Sequence, residues 1–405
     1  MDIRVMLIML MLGLFAAWLL YREGLLAGRA QRLAAAAFII LALTVRLWVL
    51  DYETLDYQDF LSKWVQLFRD HGGFSALKYE IGNYNIPYLY FLALFSYCDI
   101  SDLYLIKLLS IFFDILLAEG AMLLLGRFTR SAARRMGIFF AVLFLPTVFL
   151  NGALWAQCDS SYAALALLGI YFALDDRPAL SMVFAALAFG FKLQAVFVLP
   201  IYAVLWMYKK LRLRHFIIFP AAYIALVLPA VLLGRPFVET LTLYFNQAGS
   251  IGSGLNYNSP SVYSLFQYSL PAEYESLAAT LGIIAAFIFM LAVLGICFIN
   301  RHRLNDGAVI GAALLLAIGI PFFLPHMHER YFFLADVLSL LMAFISPLFS
   351  AAAVFAQFAS LLGYHAYLKM RFLLLMHNGA IALIGAAILA GIFLFFTLNK
   401  KIEKN

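Results

Sequence analysis

Two histidines, a glutamate and an arginine fall within five positions of the stretch LPHMHERYFF, residues 324–333, at the end of a long apolar run. A central arginine costs about 2.5 to 3.5 kcal/mol on membrane-insertion scales, though less near the interface, so this cluster calls for a functional explanation. A guanidinium binds a phosphate bidentately, and a lysine or imidazolium adds charge. His326, His328 and Arg330, with Lys192 of FKLQ (191–194), are therefore candidates for holding an anion. Lys192 could instead snorkel, and the histidines could cap helix carbonyls. His326 and His328 could also ligate a metal, but no third ligand is evident, and neither a metal nor another cofactor is expected.

Carboxylates gather elsewhere. DYETLDYQDF, residues 51–60, carries four acids in nine positions. Asp56 stands just before an amphipathic pattern in which Tyr57, Phe60, Leu61, Trp64, Val65 and Phe68 share one helical face. It could serve as an N-cap, with Asp59 contributing to the helix dipole. A well-held carboxylate beside an apolar face also suits a general base that takes a proton from a hydroxyl. Asp51, Glu53 and Asp59 are its rivals. A third polar stretch, WAQCDSS (155–161), adds Trp155, Gln157 and Asp159.

The elements that must position these groups are membrane helices. Of 405 residues, 65% are hydrophobic and 12% charged, and the mean hydropathy is +0.94, far from soluble domains. The reading is an all-α polytopic membrane protein: apolar runs near 5–20, 33–50, 104–126, 136–151, 161–174, 179–191, 195–208, 216–233, 278–299, 307–324, 331–349, 351–367 and 380–397 predict about thirteen crossings. The fifth to seventh are short and rest on parity.

A net charge of +6 does not point to nucleic acid, because the basic residues crowd short loops. These are Arg22, Arg29 and Arg32; Arg127, Arg130, Arg134 and Arg135; Lys209, Lys210, Arg212 and Arg214; and the tail lysines Lys400, Lys401 and Lys404. Such loops are cytoplasmic, which places the N-terminus outside and keeps the first run as a spanning helix rather than a signal peptide. The acids of 51–60, WAQCDSS, FKLQ and LPHMHERYF then end on one outer side. Asp114, Glu119, Asp336, Arg46 and Lys107 lie within spans and read as bundle-facing structural pairs, Lys107 and Asp114 sharing a helix face seven residues apart. A transporter would use them as an ion relay.

No soluble domain, linker or repeat is apparent, so residues 1–405 read as one membrane-embedded domain with two long outer loops, 51–103 and 234–277. IPYLYFLALFSY (86–97) is too short to cross and suits an interfacial or re-entrant helix. The Gly-, Ser- and Asn-rich stretch 246–266 reads as a mobile lid, a sugar-contacting loop or a plain connector. Cys98, Cys158 and Cys297 lack metal spacing and are expected to carry no chemistry. The absence of an N-x-[ST] sequon favours a prokaryotic source, hence a bacterial cytoplasmic membrane.

Together, LDYQDFLSKWVQLFRDHGGFSAL (55–77), YNIPYLYFL (84–92), SDLYLIKLLSIFFDILLA (101–118), LWAQCDSSYA (154–163), FKLQAVFVLP (191–200) and LPHMHERYFF resemble the C-type (GT-C) membrane glycosyltransferases, and among them bacterial relatives of the glycosylphosphatidylinositol-anchor mannosyltransferases. The resemblance implies a helical bundle whose first extracytoplasmic loop forms membrane-parallel helices. It implies a polyprenyl-phosphate sugar donor, a glycan or lipid-linked acceptor, and hexose transfer with inversion. Asp56 matches the expected base. The His-Glu-Arg stretch would hold the donor phosphate, while Trp155, Gln157, Asp159, Gln194, Tyr331 and Asp59 would contact substrate. NIPYLY has one proline where relatives often show two, and the additional N-terminal helix is a second departure. A flippase of lipid-linked sugars is the rival, although inverted repeats are not evident.

Overall fold

A computed structural model of the chain describes residues 2–250, 254–266 and 270–399. Lys400, Lys401 and Lys404 lie outside the described residues, as do 251–253 of the Gly/Ser-rich stretch. The chain forms two compact units: Met1–Tyr171 with Ala179–Ala195 and Phe216–Ser250, and Phe172–Pro178 with Val196–His215 and Ile251–Asn405.

The fold is helical, as the hydropathy pattern requires. Among the described residues eight helices are long and apolar enough to cross a membrane, and a pair bent by 47°, Ala132–Leu143 with Pro146–Leu154, makes a possible ninth. The bend falls before Pro146, whose ring cannot continue the helix. The other four expected crossings are shorter. Three are the helices Asp159–Leu174, Pro178–Phe191 and Phe333–Ile345. The run 195–208 breaks at Pro200 into a 3₁₀ turn, Leu193–Phe197, and a helix of 7 residues, Ile201–Met207. At 1.5 Å per residue that helix covers about 10 Å, a third of the hydrocarbon.

In the first unit, α1 (Ile3–Arg22) is capped by the Asp2 carboxylate, which accepts from the Arg4 amide at 2.8 Å. It packs beside α2 (Arg29–Trp48). The acidic loop then leads through a π-helical turn, Tyr57–Leu61, into α3 (Ser62–Asp70). Tyr57, Leu61, Trp64, Val65 and Phe68 are buried as the apolar periodicity predicts, but Phe60 is 51% exposed. The π turn inserts a residue that a strict 3.6 repeat does not anticipate. Next, α4 (Ile86–Phe95) opens on Asn85, whose side chain accepts from the Ile86 amide, with Pro87 in the first turn. The central helix is α5 (Asp102–Gly126), 83% buried over its apolar window, against 17% for Leu213–Leu232.

The second unit repeats that logic around Asp306–Phe323, 89% buried, which starts on an Asn305 cap to the Ala308 amide at 3.0 Å. Its long loop carries local structure among the described residues. Strand β1, Asn256–Tyr257, pairs in parallel with β2, Met327–His328, and Ser259, Ser261 and Tyr263 are buried. Where described, this segment is packed rather than the mobile connector its composition suggests.

Candidate functional site

Asp56 is the centre of the first unit's polar cluster. Its Oδ2 accepts from the Trp155 indole N–H at 2.9 Å and from the Gln157 amide at 2.7 Å. Both donors are neutral, so they orient the carboxylate without neutralising it, and both fall on one oxygen, which fixes the carboxylate plane. The Tyr84 hydroxyl donates to Gln157 Oε1 at 3.1 Å. The Lys192 ammonium lies 5.6 Å from the Tyr84 ring centre and 2.6 Å from Asp159 Oδ1 in a buried ion pair. Asn151 donates to Asp159 Oδ2 at 2.7 Å and accepts from the Asp159 amide at 3.2 Å. The structure thus brings together Asp56, Trp155, Gln157, Asp159 and Lys192. It adds Tyr84 and Asn151, for which the only signal was their polarity in apolar surroundings.

Backbone geometry makes this convergence possible. Residues Leu150–Leu154 form a second π-helical turn, followed by Ala156 at φ 66°. The left-handed conformation costs a non-glycine residue roughly 1–2 kcal/mol, and here it lets Trp155 and Gln157, two apart in the chain, meet the same oxygen. The two π turns adjoin the two sides of this contact, a placement π-bulges often take at functional sites.

The N-cap role for Asp56 is not realised: its backbone is already helical, φ −59° and ψ −37°, and its side chain makes no capping bond. The rival acids are engaged elsewhere. Asp51 accepts from the Tyr104 hydroxyl, Glu53 from Gln58 at 3.0 Å, and Asp59 is exposed and 3.5 Å from Lys63. Burial, helped by the Asp102 and Glu53 carboxylates, pushes the neighbouring Tyr57 phenol up to about 12. Gln194, expected to line the site, is buried, with its Oε1 lacking a hydrogen-bond partner among the described residues.

In the second unit the His-Glu-Arg stretch builds its own cluster. His326, at φ 61°, donates from Nδ1 to the Gly254 carbonyl at 2.7 Å, and its amide donates to Leu255 O at 2.9 Å. His328 is stacked on Tyr257 at 4.8 Å between centroids, with an interplanar angle of 13°, and Tyr331 lies 5.3 Å away. Arg330 donates to Glu329 Oε1 at 3.1 Å and stands 5.9 Å from the Tyr331 ring centre. His328 keeps 37% of its side chain exposed, while Glu329 keeps 3%.

The charged residues of the apolar helices are engaged within the fold, two of the acids in ion pairs. Asp114 pairs with Arg46 at 2.9 Å and not with Lys107, since seven helical residues span about 10 Å. Lys107 donates to the carbonyls of Val49, Leu50 and Tyr52 at 3.1, 2.9 and 2.6 Å. Glu119 pairs with Arg22 at 2.5 Å, and Asp336 accepts from Ser360 at 2.9 Å. Among the described residues the three cysteines form no disulfide, and no group of three or more His, Cys, Asp or Glu side chains is arranged to hold a metal ion. No protein-family model matches the chain, and no curated protein matches it.

Proposed function

We propose that the chain is an inverting membrane glycosyltransferase of the GT-C kind, moving a hexose from a polyprenyl-phosphate donor to a glycan or lipid-linked acceptor on the extracytoplasmic side of the membrane. In this reading thirteen crossings and the basic loops set the orientation. The observation that carries it is the selective engagement of Asp56. Of four acids in ten residues, it alone is held by Trp155 and Gln157, beside a buried Lys192–Asp159 pair.

In the reaction, Asp56 accepts the proton of the acceptor hydroxyl as its oxygen attacks the anomeric carbon from the face opposite the phosphate. The bond from that carbon to the phosphate oxygen breaks, its electron pair leaves with the polyprenyl phosphate, and the configuration inverts. Arg330, His328 and His326 stabilise the phosphate charge as it develops. Tyr331 completes that set. Lys192, bound to Asp159, acts through the Tyr84 and Gln157 side chains that adjoin the base, and Gln194 contacts sugar.

The test is transfer by purified protein given a defined polyprenyl-phosphate hexose and candidate acceptors, with products read by mass spectrometry. A positioned base contributes about 10² to 10⁴ in rate, so Asp56→Asn should lose turnover on that scale while donor binding persists. Wild-type turnover in Asp56→Asn would remove the base assignment. Movement of unmodified lipid-linked sugar across vesicles without transfer would replace the reading by transport.

A further inference from the structure

Tyr104, Lys107, Ser110 and Asp114 follow one another along α5 at spacings of three, three and four, which aligns them on one helix face. Each holds a segment that supplies the Asp56 cluster. The Tyr104 hydroxyl donates to Asp51. The Lys107 ammonium, fully buried, distributes its three protons over the carbonyls of 49, 50 and 52, the backbone that leaves α2 for the acidic loop. Ser110 donates to the Gln157 carbonyl at 2.7 Å, and Asp114 accepts from Ser160 and Arg46. Thr54 closes the frame by donating to Trp155 O at 3.0 Å.

A buried ammonium is costly, and one that spends every proton on backbone carbonyls has an alignment role rather than the counter-ion role its helix position suggests. The end of a helix presents unsatisfied carbonyls with partial negative charge, so a cation there is favourable and directional. Four residues beyond the last of these carbonyls stands Asp56.

We infer that Lys107 is a positioning residue: from α5 it fixes the exit of α2, and thereby the distance between the Asp56 carboxylate and its donors Trp155 and Gln157. Its effect on transfer rests on the proposed role of Asp56; its effect on geometry does not. Misplacement of a reacting group by about 1 Å can cost about 10²-fold in rate.

The experiment separates the two. Protein labelled with 5-fluorotryptophan gives a fluorine resonance for Trp155, assigned with Trp155→Phe. In Lys107→Met the Trp155 resonance should move toward its position in Asp56→Asn while those of Trp18 and Trp206 hold, and turnover should fall about 10²-fold at unchanged donor KM. Lys107→Arg should restore part of both. A folded Lys107→Met whose Trp155 signal stays at the wild-type position overturns the inference. If Lys107→Met does not accumulate folded, Lys107→Gln, which keeps a polar N–H head but cannot serve all three carbonyls, gives the same reading at smaller amplitude, and an unmoved resonance there overturns it equally. Absence of transfer in the wild type, with the resonance shift present, would instead sink the transferase reading and leave the positioning intact.

Discussion

Asp56 receives its hydrogen bonds from residues 99 and 101 positions away, whereas Arg330 pairs with the residue before it and His328 lies against Tyr257 and Tyr331. The acid is therefore held by hydrogen-bond donors of one distant polar stretch, and the basic stretch both by its own neighbours and by the β1 segment, where Gly254 lies 72 positions from His326. The partners differ too. The Trp155 and Gln157 donors to Asp56 are neutral, and Lys192 pairs with Asp159. Around His328 the contacts are aromatic faces, and more than a third of the side chain is exposed. A group fixed by directed hydrogen bonds suits a fixed reacting geometry; a ring laid on aromatic faces with 37% of its side chain exposed suits a partner that comes and goes.

Three substitutions would break or sharpen that contrast. The largest effect is expected from Lys192→Met, which strands the fully buried Asp159 carboxylate and should cost about 3–5 kcal/mol of stability. Unfolding in a denaturant titration reads it, and Lys192→Met combined with Asp159→Leu should recover most of the loss. Equal stability of Lys192→Met and wild type would mean that the pair is not embedded as tightly as the contrast requires. Next, Trp155→Phe keeps the apolar bulk and deletes the indole N–H. A hydrogen bond to a charged group is worth about 1.5–3 kcal/mol, so turnover should fall by about 10- to 10²-fold with donor affinity retained. Unchanged turnover would reduce the contact to packing. The smallest change is expected from Tyr257→Leu, which removes a stacked ring worth about 0.5–1.5 kcal/mol beyond its buried area. A loss as large as that of Lys192→Met would show the second cluster to be as tightly embedded as the first.

The same contrast explains what the sequence disclosed. Histidines and an arginine a few residues apart announce themselves, and so does the apolar face from Tyr57 to Phe68, because both are short-range patterns. Asp56 is preferred among four acids by its place before the amphipathic pattern and by the family resemblance, but its contact with Trp155 and Gln157 is not written in either. Lys107 and Asp114 share a face, yet each takes its partner from another element, which periodicity along one helix does not encode. A regular repeat puts Phe60 on the buried side, and the π turn at Tyr57–Leu61 turns it outward. The left-handed Ala156 has no local signature, as alanine there replaces the glycine such a backbone favours. Loop composition misled for a similar reason: Ser259 and Ser261 look like flexible-linker residues but are buried beside β1.

The widened turns at Tyr57–Leu61 and Leu150–Leu154 have a consequence for any attempt to trim or align this chain. Each residue of a helix advances the direction of its side chain by about 100°. Deleting one residue from either turn would yield a tidier helix and swing Asp56 or Trp155 away from the other, with little change in hydropathy or predicted helicity. Homologues that share this chemistry must therefore conserve length in both stretches, and an alignment gap at either would place the acid one position out of true.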